Sequence, residues 1–139
     1  MEDKKPTENS KKKPAMAGEV IAGFPSPAEQ YLESPLDLNE LLVKHPAATY
    51  YVRVAGDSMI NAGIQQGDIL VVDRSLQPVD GSVVIAAIDN EFTVKYLRTD
   101  GENVCLEAAN EHFKPIVFKS GMELKLFGVV TAVIHQFVK

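Results

Sequence analysis

The sequence is short of several features that mark common functional classes. It has one cysteine, Cys105, so no internal disulfide can form, and a reducing, cytoplasmic setting is expected. Its longest uninterrupted apolar run covers residues 83–88, far below the ~20 residues that span a bilayer as a helix, so no membrane segment is expected. The early lysines are not followed by an apolar stretch, which excludes a secretory signal. There is no tryptophan and there are only ten Phe and Tyr residues, too few to suggest an aromatic platform for stacked bases. Net charge is −5, so a large basic face for duplex DNA is absent and direct DNA binding is not expected. Neither standard glycine-rich phosphate loop occurs. No His, Cys and carboxylate cluster has metal-ligand spacing, so neither a metal nor a cofactor is expected.

What remains is a 139-residue chain, room for one ordinary domain, with 45% apolar and 24% charged residues. Composition shifts near residue 20. The first residues are Lys, Glu, Asn, Ser, Thr and Pro, with Met1 and Met16 as the only large apolar side chains before residue 18. Such a segment cannot offset its ordering entropy by burial and is expected to be a disordered arm. Five lysines lie in it, whereas from Gly23 onward nine basic residues face fifteen acidic ones, a net −6. Pro25 and Pro27 then hold residues 23–27 extended. Asp37 and Glu40 have capping-box spacing ahead of Leu38, Leu41 and Leu42, which predicts a short helix ended by Pro46.

The remainder reads as β. Residues 49–54, 68–73, 82–88, 91–97, 103–108, 115–118 and 124–138 are runs rich in Val, Ile, Phe and Tyr. Asp89-Asn90 suits a tight hairpin turn, and Gly67, Gly81, Gly101 and Gly121 punctuate the spacing. The expectation is a mostly β fold with a partly closed sheet of short strands, preceded by one short helix.

Gly56-Asp57-Ser58-Met59 follows the first of these strands. Two readings of Ser58 are open: a nucleophile at a strand end, if a base lies nearby, or a serine capping a short helical turn through Ile60, Asn61 and Ala62. Lys95 interrupts the strand-like run Phe92-Thr93-Val94-Lys95-Tyr96-Leu97. Alternation groups it with Glu91, Thr93 and Leu97, which suits a solvated strand face. Alternatively it is partly buried beside Ser58, where desolvation would favour the neutral amine and let it take a serine proton. His45, His112 and His135 read as structural or surface residues. Asp68, Asp73 and Asp80 read as turn residues, and Cys105 as core.

Taken together and in order, Ala22-Gly23-Phe24-Pro25-Ser26-Pro27, Gly56-Asp57-Ser58-Met59, Phe92-Thr93-Val94-Lys95 and Phe127-Gly128-Val129-Val130 resemble the LexA-type self-cleaving serine peptidases, and within them the UmuD and MucA group. The resemblance runs from about Ala22 to Val138. It implies the LexA-like C-terminal peptidase fold and a serine–lysine dyad, with Ser58 as nucleophile and Lys95 as general base. It implies an oxyanion held by the backbone N–H groups of Asp57 and Ser58, and cleavage of the chain's own Ala22–Gly23 bond. The implied organisation is an arm, 1–22, removed by cleavage; a linker and helix, 23–48; and a peptidase and dimerisation domain, 49–139. The 22 residues before the bond are too few for a helix-turn-helix domain, which favours a UmuD-like accessory protein over a repressor. That group implies RecA filaments on single-stranded DNA as the stimulus. It also implies a homodimer that joins a UmuC-type Y-family polymerase for translesion synthesis in the SOS response. The competing readings are a stand-alone LexA-type regulator and a β interaction module with no peptidase activity.

Overall fold

Seven strands form one antiparallel sheet in the computed structural model, which describes residues 14–16, 18–20, 22, 35–118 and 122–139. They are β1 (Thr49–Arg53), β2 (Ile69–Asp73), β3 (Val83–Ile88), β4 (Glu91–Asp100), β5 (Asn103–Glu107), β6 (Ile116–Val117) and β7 (Leu124–Ile134). The order across the sheet is β1-β2-β7-β3-β4-β5-β6. Every strand predicted from the sequence is present. The sixth shrinks to two residues, and the seventh stops at Ile134 and leaves Phe137 and Val138 exposed.

The chain divides into two units, Met1–Leu41 and Leu42–Lys139. In the first, Ala15 and Pro35 form an antiparallel bridge, and Leu36 N–H donates to the Pro14 carbonyl at 2.8 Å. Ala22 is exposed; Gly23 and the proline-containing stretch after it lie outside the described residues. The predicted helix is α1 (Leu38–Leu42), five residues long. Asp37 caps it by accepting the Asn39 N–H at 2.9 Å, as the sequence suggested. Leu38 and Leu41 are exposed.

In the second unit, β7 enters the sheet between β2 and β3 and carries a bulge against each. Thr131 is skipped in the ladder with β2, and Phe127 in the ladder with β3. An extra residue bends and twists a strand, so the sheet curls where β7 crosses it. Gly128 sits at that bend with φ +150, and a Cβ there would lie 2.6 Å from the buried Val72 Cγ1. Two apolar clusters result. One gathers Val54, Met59, Ile64, Leu70, Val72, Ile85 and Ala109; the other gathers Val84, Ala86, Leu97 and Leu106. β3 contributes to both, Ile85 to the first and Val84 and Ala86 to the second. Its near-continuous apolar run is that of a strand covered on both faces.

The β3–β4 turn is Asp89-Asn90, both at positive φ (+48 and +71). That is the backbone of a type I′ turn, whose twist matches the flanking strands. It fixes the hairpin register, in which Val84 faces Lys95 and Ala86 faces Thr93.

Candidate active site

Two segments converge. The first leaves the sheet after β1. Gly56 adopts φ +86, where a side chain would be strained, and the chain turns sharply. The Ile60 N–H donates to the Asp57 carbonyl at 3.1 Å, which closes a turn with Ser58 and Met59 at its centre. Met59 then anchors the segment in the first apolar cluster, with 1% of its surface exposed. The short 3-10 turn Ile60–Ala62 follows, but its N-cap is Met59 and no side chain caps it. The capping reading of Ser58 is therefore corrected: its hydroxyl is engaged elsewhere.

It is engaged by the second segment. Lys95 Nζ donates to Ser58 Oγ at 3.0 Å, to Thr93 Oγ1 at 2.6 Å and to the Val94 carbonyl at 3.2 Å. The solvated-face reading of Lys95 is corrected as well. Period-two alternation separates two faces but does not say which is wet. The register places Lys95 and Thr93 on the side of Val84 and Ala86, both fully buried, and Lys95 itself is only 8% exposed. Both faces of central β4 are covered, since Val94 and Tyr96 pack against the first cluster.

Burial pushes the Lys95 ammonium below the ordinary lysine range, because desolvation penalises its charge. Its three contacts suit either state. An ammonium donates three hydrogen bonds, matching the three oxygens around it. A neutral amine has two N–H groups and one lone pair; it can donate to the Val94 carbonyl and to one of the two hydroxyls and accept from the other, so Ser58 lies within reach of the lone pair.

A second strap holds the serine turn. Asn110 is buried, and its Nδ2 donates to the Asp57 carbonyl at 3.0 Å, while its Oδ1 accepts the His112 N–H at 3.0 Å. Beside it, Asn61 N–H donates to the Ala109 carbonyl at 2.8 Å, and Ala109 N–H donates to Met59 Sδ at 3.3 Å. Asp57 is exposed and its carboxylate has no part in these contacts.

The three histidines lie apart from Ser58 in their contacts. His45 Nδ1 meets Asp73 Oδ2 at 2.6 Å and His135 Nδ1 meets Asp68 Oδ1 at 2.5 Å. Asp73 also accepts from the Ser75 N–H and hydroxyl, and Asp80 accepts the Thr99 N–H. Cys105 on β5 is half-buried, with its neighbour Leu106 taking the core position. Among the described residues no group of His, Cys, Asp and Glu could hold a metal ion, and no helix is long and apolar enough to cross a membrane.

Of the site, sequence reading named Ser58, Lys95 and Asp57 but assigned no role to Thr93, Val94 or Asn110. Thr93 was detectable in principle, two residues before Lys95 and so on the same strand face. Asn110 was not, since nothing in the sequence links it to Asp57 across 53 positions.

Two comparisons with known proteins bear on the chain as a whole. The family description "Peptidase S24-like" matches residues 14–131. The chain belongs to that family. Among its relatives, protein SamA of Salmonella typhimurium strain LT2 is 47% identical over 115 residues, 83% of this chain and 79% of SamA. Protein ImpA of Escherichia coli is 45% identical over 126 residues, 89% of this chain and 84% of ImpA. Protein MucA of Escherichia coli is 46% identical over 114 residues, 81% of this chain and 77% of MucA. This S24 peptidase is thus a homologue of the UmuD-type proteins, the self-cleaving serine peptidases of SOS mutagenesis. The reading of a β module without peptidase activity is set aside on that ground.

Proposed function

We propose that Ser58 is the nucleophile and Lys95 the general base for cleavage of the chain's own Ala22–Gly23 bond. The observation that carries this reading is the 3.0 Å contact between Lys95 Nζ and Ser58 Oγ, with the lysine buried. Neutral Lys95 takes the Ser58 proton while Oγ attacks the Ala22 carbonyl carbon. The resulting oxyanion is met by the backbone N–H groups of Ser58 and Asp57. As the intermediate collapses, the Gly23 nitrogen leaves and takes the proton from the Lys95 ammonium. Water, with Lys95 again as base, then hydrolyses the ester between Ser58 and Ala22.

In this reading residues 1–22 are the arm removed, 23–48 a linker with α1, and 49–139 the peptidase and dimerisation domain. The setting is cytoplasmic. A RecA filament on single-stranded DNA promotes cleavage by favouring the cleavable arrangement, a shift of population rather than added chemistry. The shortened homodimer then joins a UmuC-type polymerase. Support for these partners comes from the kinship with UmuD-type proteins alone. A stand-alone regulator would instead co-purify with a different protein.

The deciding experiment is intact mass after incubation of the purified chain at pH ~10, near the ordinary lysine value. The parent is expected to be cut between Ala22 and Gly23. Ser58→Ala and Lys95→Ala are expected to lose at least about a thousandfold in rate. Cleavage at that bond in either variant at the parent rate would defeat the dyad.

A further inference from the structure

The N–H of a nucleophilic residue lies on the same residue as its hydroxyl. Whether it can serve the oxyanion depends only on how the preceding peptide plane is turned. In a trans peptide the C=O and N–H point in opposite directions, and no cis peptide occurs among the described residues. Fixing the Asp57 carbonyl therefore fixes the direction of the Ser58 N–H.

That carbonyl is fixed twice. It accepts the Ile60 N–H from within its own turn and Asn110 Nδ2 from a remote loop. The Asn110 amide is itself locked: its Oδ1 accepts the His112 N–H and its backbone carbonyl accepts the Phe113 N–H at 3.1 Å, so Nδ2 is the end left to face Asp57. Among the described residues no backbone carbonyl accepts from the Ser58 N–H or the Asp57 N–H. A backbone donor held in direction by a buried amide behind it is what a preorganised oxyanion site requires.

We propose that Asn110 is a positioning residue for the cleavage reaction: by holding the Asp57 carbonyl it aims the Ser58 N–H at the oxyanion formed on the Ala22 carbonyl. The proposal rests on the Ser58–Lys95 reading given above. It differs from a general packing role in one measurable respect. The hydrogen bonds of Asn110 run to Asp57 and His112, and those of Lys95 to Ser58, Thr93 and Val94, so Asn110 is expected to set how fast the fully deprotonated site works and not the pH at which Lys95 gives up its proton.

The test is the pH profile of self-cleavage of the full chain, read by intact mass, for the parent, Asn110→Ala and Asn110→Asp, with Ser58→Ala and Lys95→Ala alongside. Asn110→Asp is nearly isosteric and keeps the acceptor for the His112 N–H, but in its charged form it cannot donate to Asp57. The expected result is a fall of tenfold or more in the alkaline plateau rate for both variants, against the 10²–10³ known for loss of a whole oxyanion donor. The midpoint of Asn110→Ala is expected to stay with the parent's. A folded variant whose plateau is within twofold of the parent overturns the proposal. So does a moved midpoint with an intact plateau in Asn110→Ala, since the residue would then act through Lys95. Loss of folding in both variants, seen by circular dichroism, assigns Asn110 to the fold and overturns it too. Parent-rate cleavage in Ser58→Ala or Lys95→Ala is the separate outcome that defeats the dyad reading, and this proposal with it.

Discussion

Thr93 gives Lys95 its shortest hydrogen bond, 2.6 Å against 3.0 Å to Ser58 and 3.2 Å to the Val94 carbonyl. An oxygen acceptor so placed stabilises the ammonium more than the amine, and so works against the desolvation that favours deprotonation. Thr93→Val keeps the β-branched shape and removes that acceptor. The charged lysine then loses support, its pKa falls further, and the midpoint of the cleavage profile moves to lower pH. Cleavage rates measured across the alkaline range check this; an unmoved midpoint would mean that Thr93 only fills space. The same variant also loosens the amine, so its plateau rate is expected to drop a few-fold while the profile moves acid-ward. At this scale the sequence was readable in part. The order of the Ser58 and Lys95 segments was visible, and burial beside Ser58 was one of two readings of Lys95. What decided between them was the register of the β3–β4 hairpin, which sets Lys95 opposite Val84 rather than opposite water.

β7 is the element on which the sheet depends most, because it serves two neighbours through two different ladders. Its bulges at Thr131 and Phe127 let it do so. Gly128 lies next to the Phe127 bulge. A β-carbon there meets Val72 Cγ1 at 2.6 Å and the Asp73 carbonyl at 3.3 Å, at a φ that L residues rarely adopt. Gly128→Ala is expected to cost about 2 kcal/mol or more, since Val72 is fully buried and has nowhere to retreat. Thermal unfolding should register this as a Tm lower by roughly 5–10 °C. The strands were legible as runs of Val, Ile, Phe and Tyr, and the Asp89-Asn90 turn was legible from its residue types. The bulges were not. Nothing in Leu124–Ile134 announces that one strand changes register against each side, because a bulge is a relation between strands and not a local preference. The two-residue β6 and the early end of β7 have the same origin: β propensity continues past the point where a partner is available.

Across the whole second unit, β2 is held at both ends by a buried carboxylate and a histidine from elsewhere in the chain. His45, ahead of β1, reaches Asp73; His135, just past β7, reaches Asp68. The Ser75 side chain, and after it His45, hold the Asp73 carboxyl at about 2, below its ordinary 3.8. For Asp68, burial pushes the carboxyl up, but the Gln65 N–H and His135 together outweigh it and leave it lowered. Both folded-state values lie below the unfolded ones. The stabilisation is therefore fully present above about pH 4 and is lost as the pH falls towards 2. Acid titration followed by circular dichroism should show it. Ser75→Ala should shift acid unfolding to higher pH by more than His45→Ala does, following the order of their effects on Asp73. Equal shifts would mean that the histidine pair carries as much as the serine. Sequence reading took both aspartates for turn residues flanking strands; Asp73 instead is the last residue of β2 and Asp68 directly precedes it, both buried, and pairing across 28 and 67 positions leaves no local trace.

Ser58 and Lys95 already touch in the arrangement described, and the lysine's three contacts accommodate both of its protonation states. That bears on inhibition. A small acylating or phosphonylating reagent would find the serine with its proton acceptor in place, and it would need no extended peptide to organise the site. If Ser58 is the nucleophile proposed above, a compound that acylates it is expected to leave the Ala22–Gly23 bond uncut, and intact mass after treatment checks this.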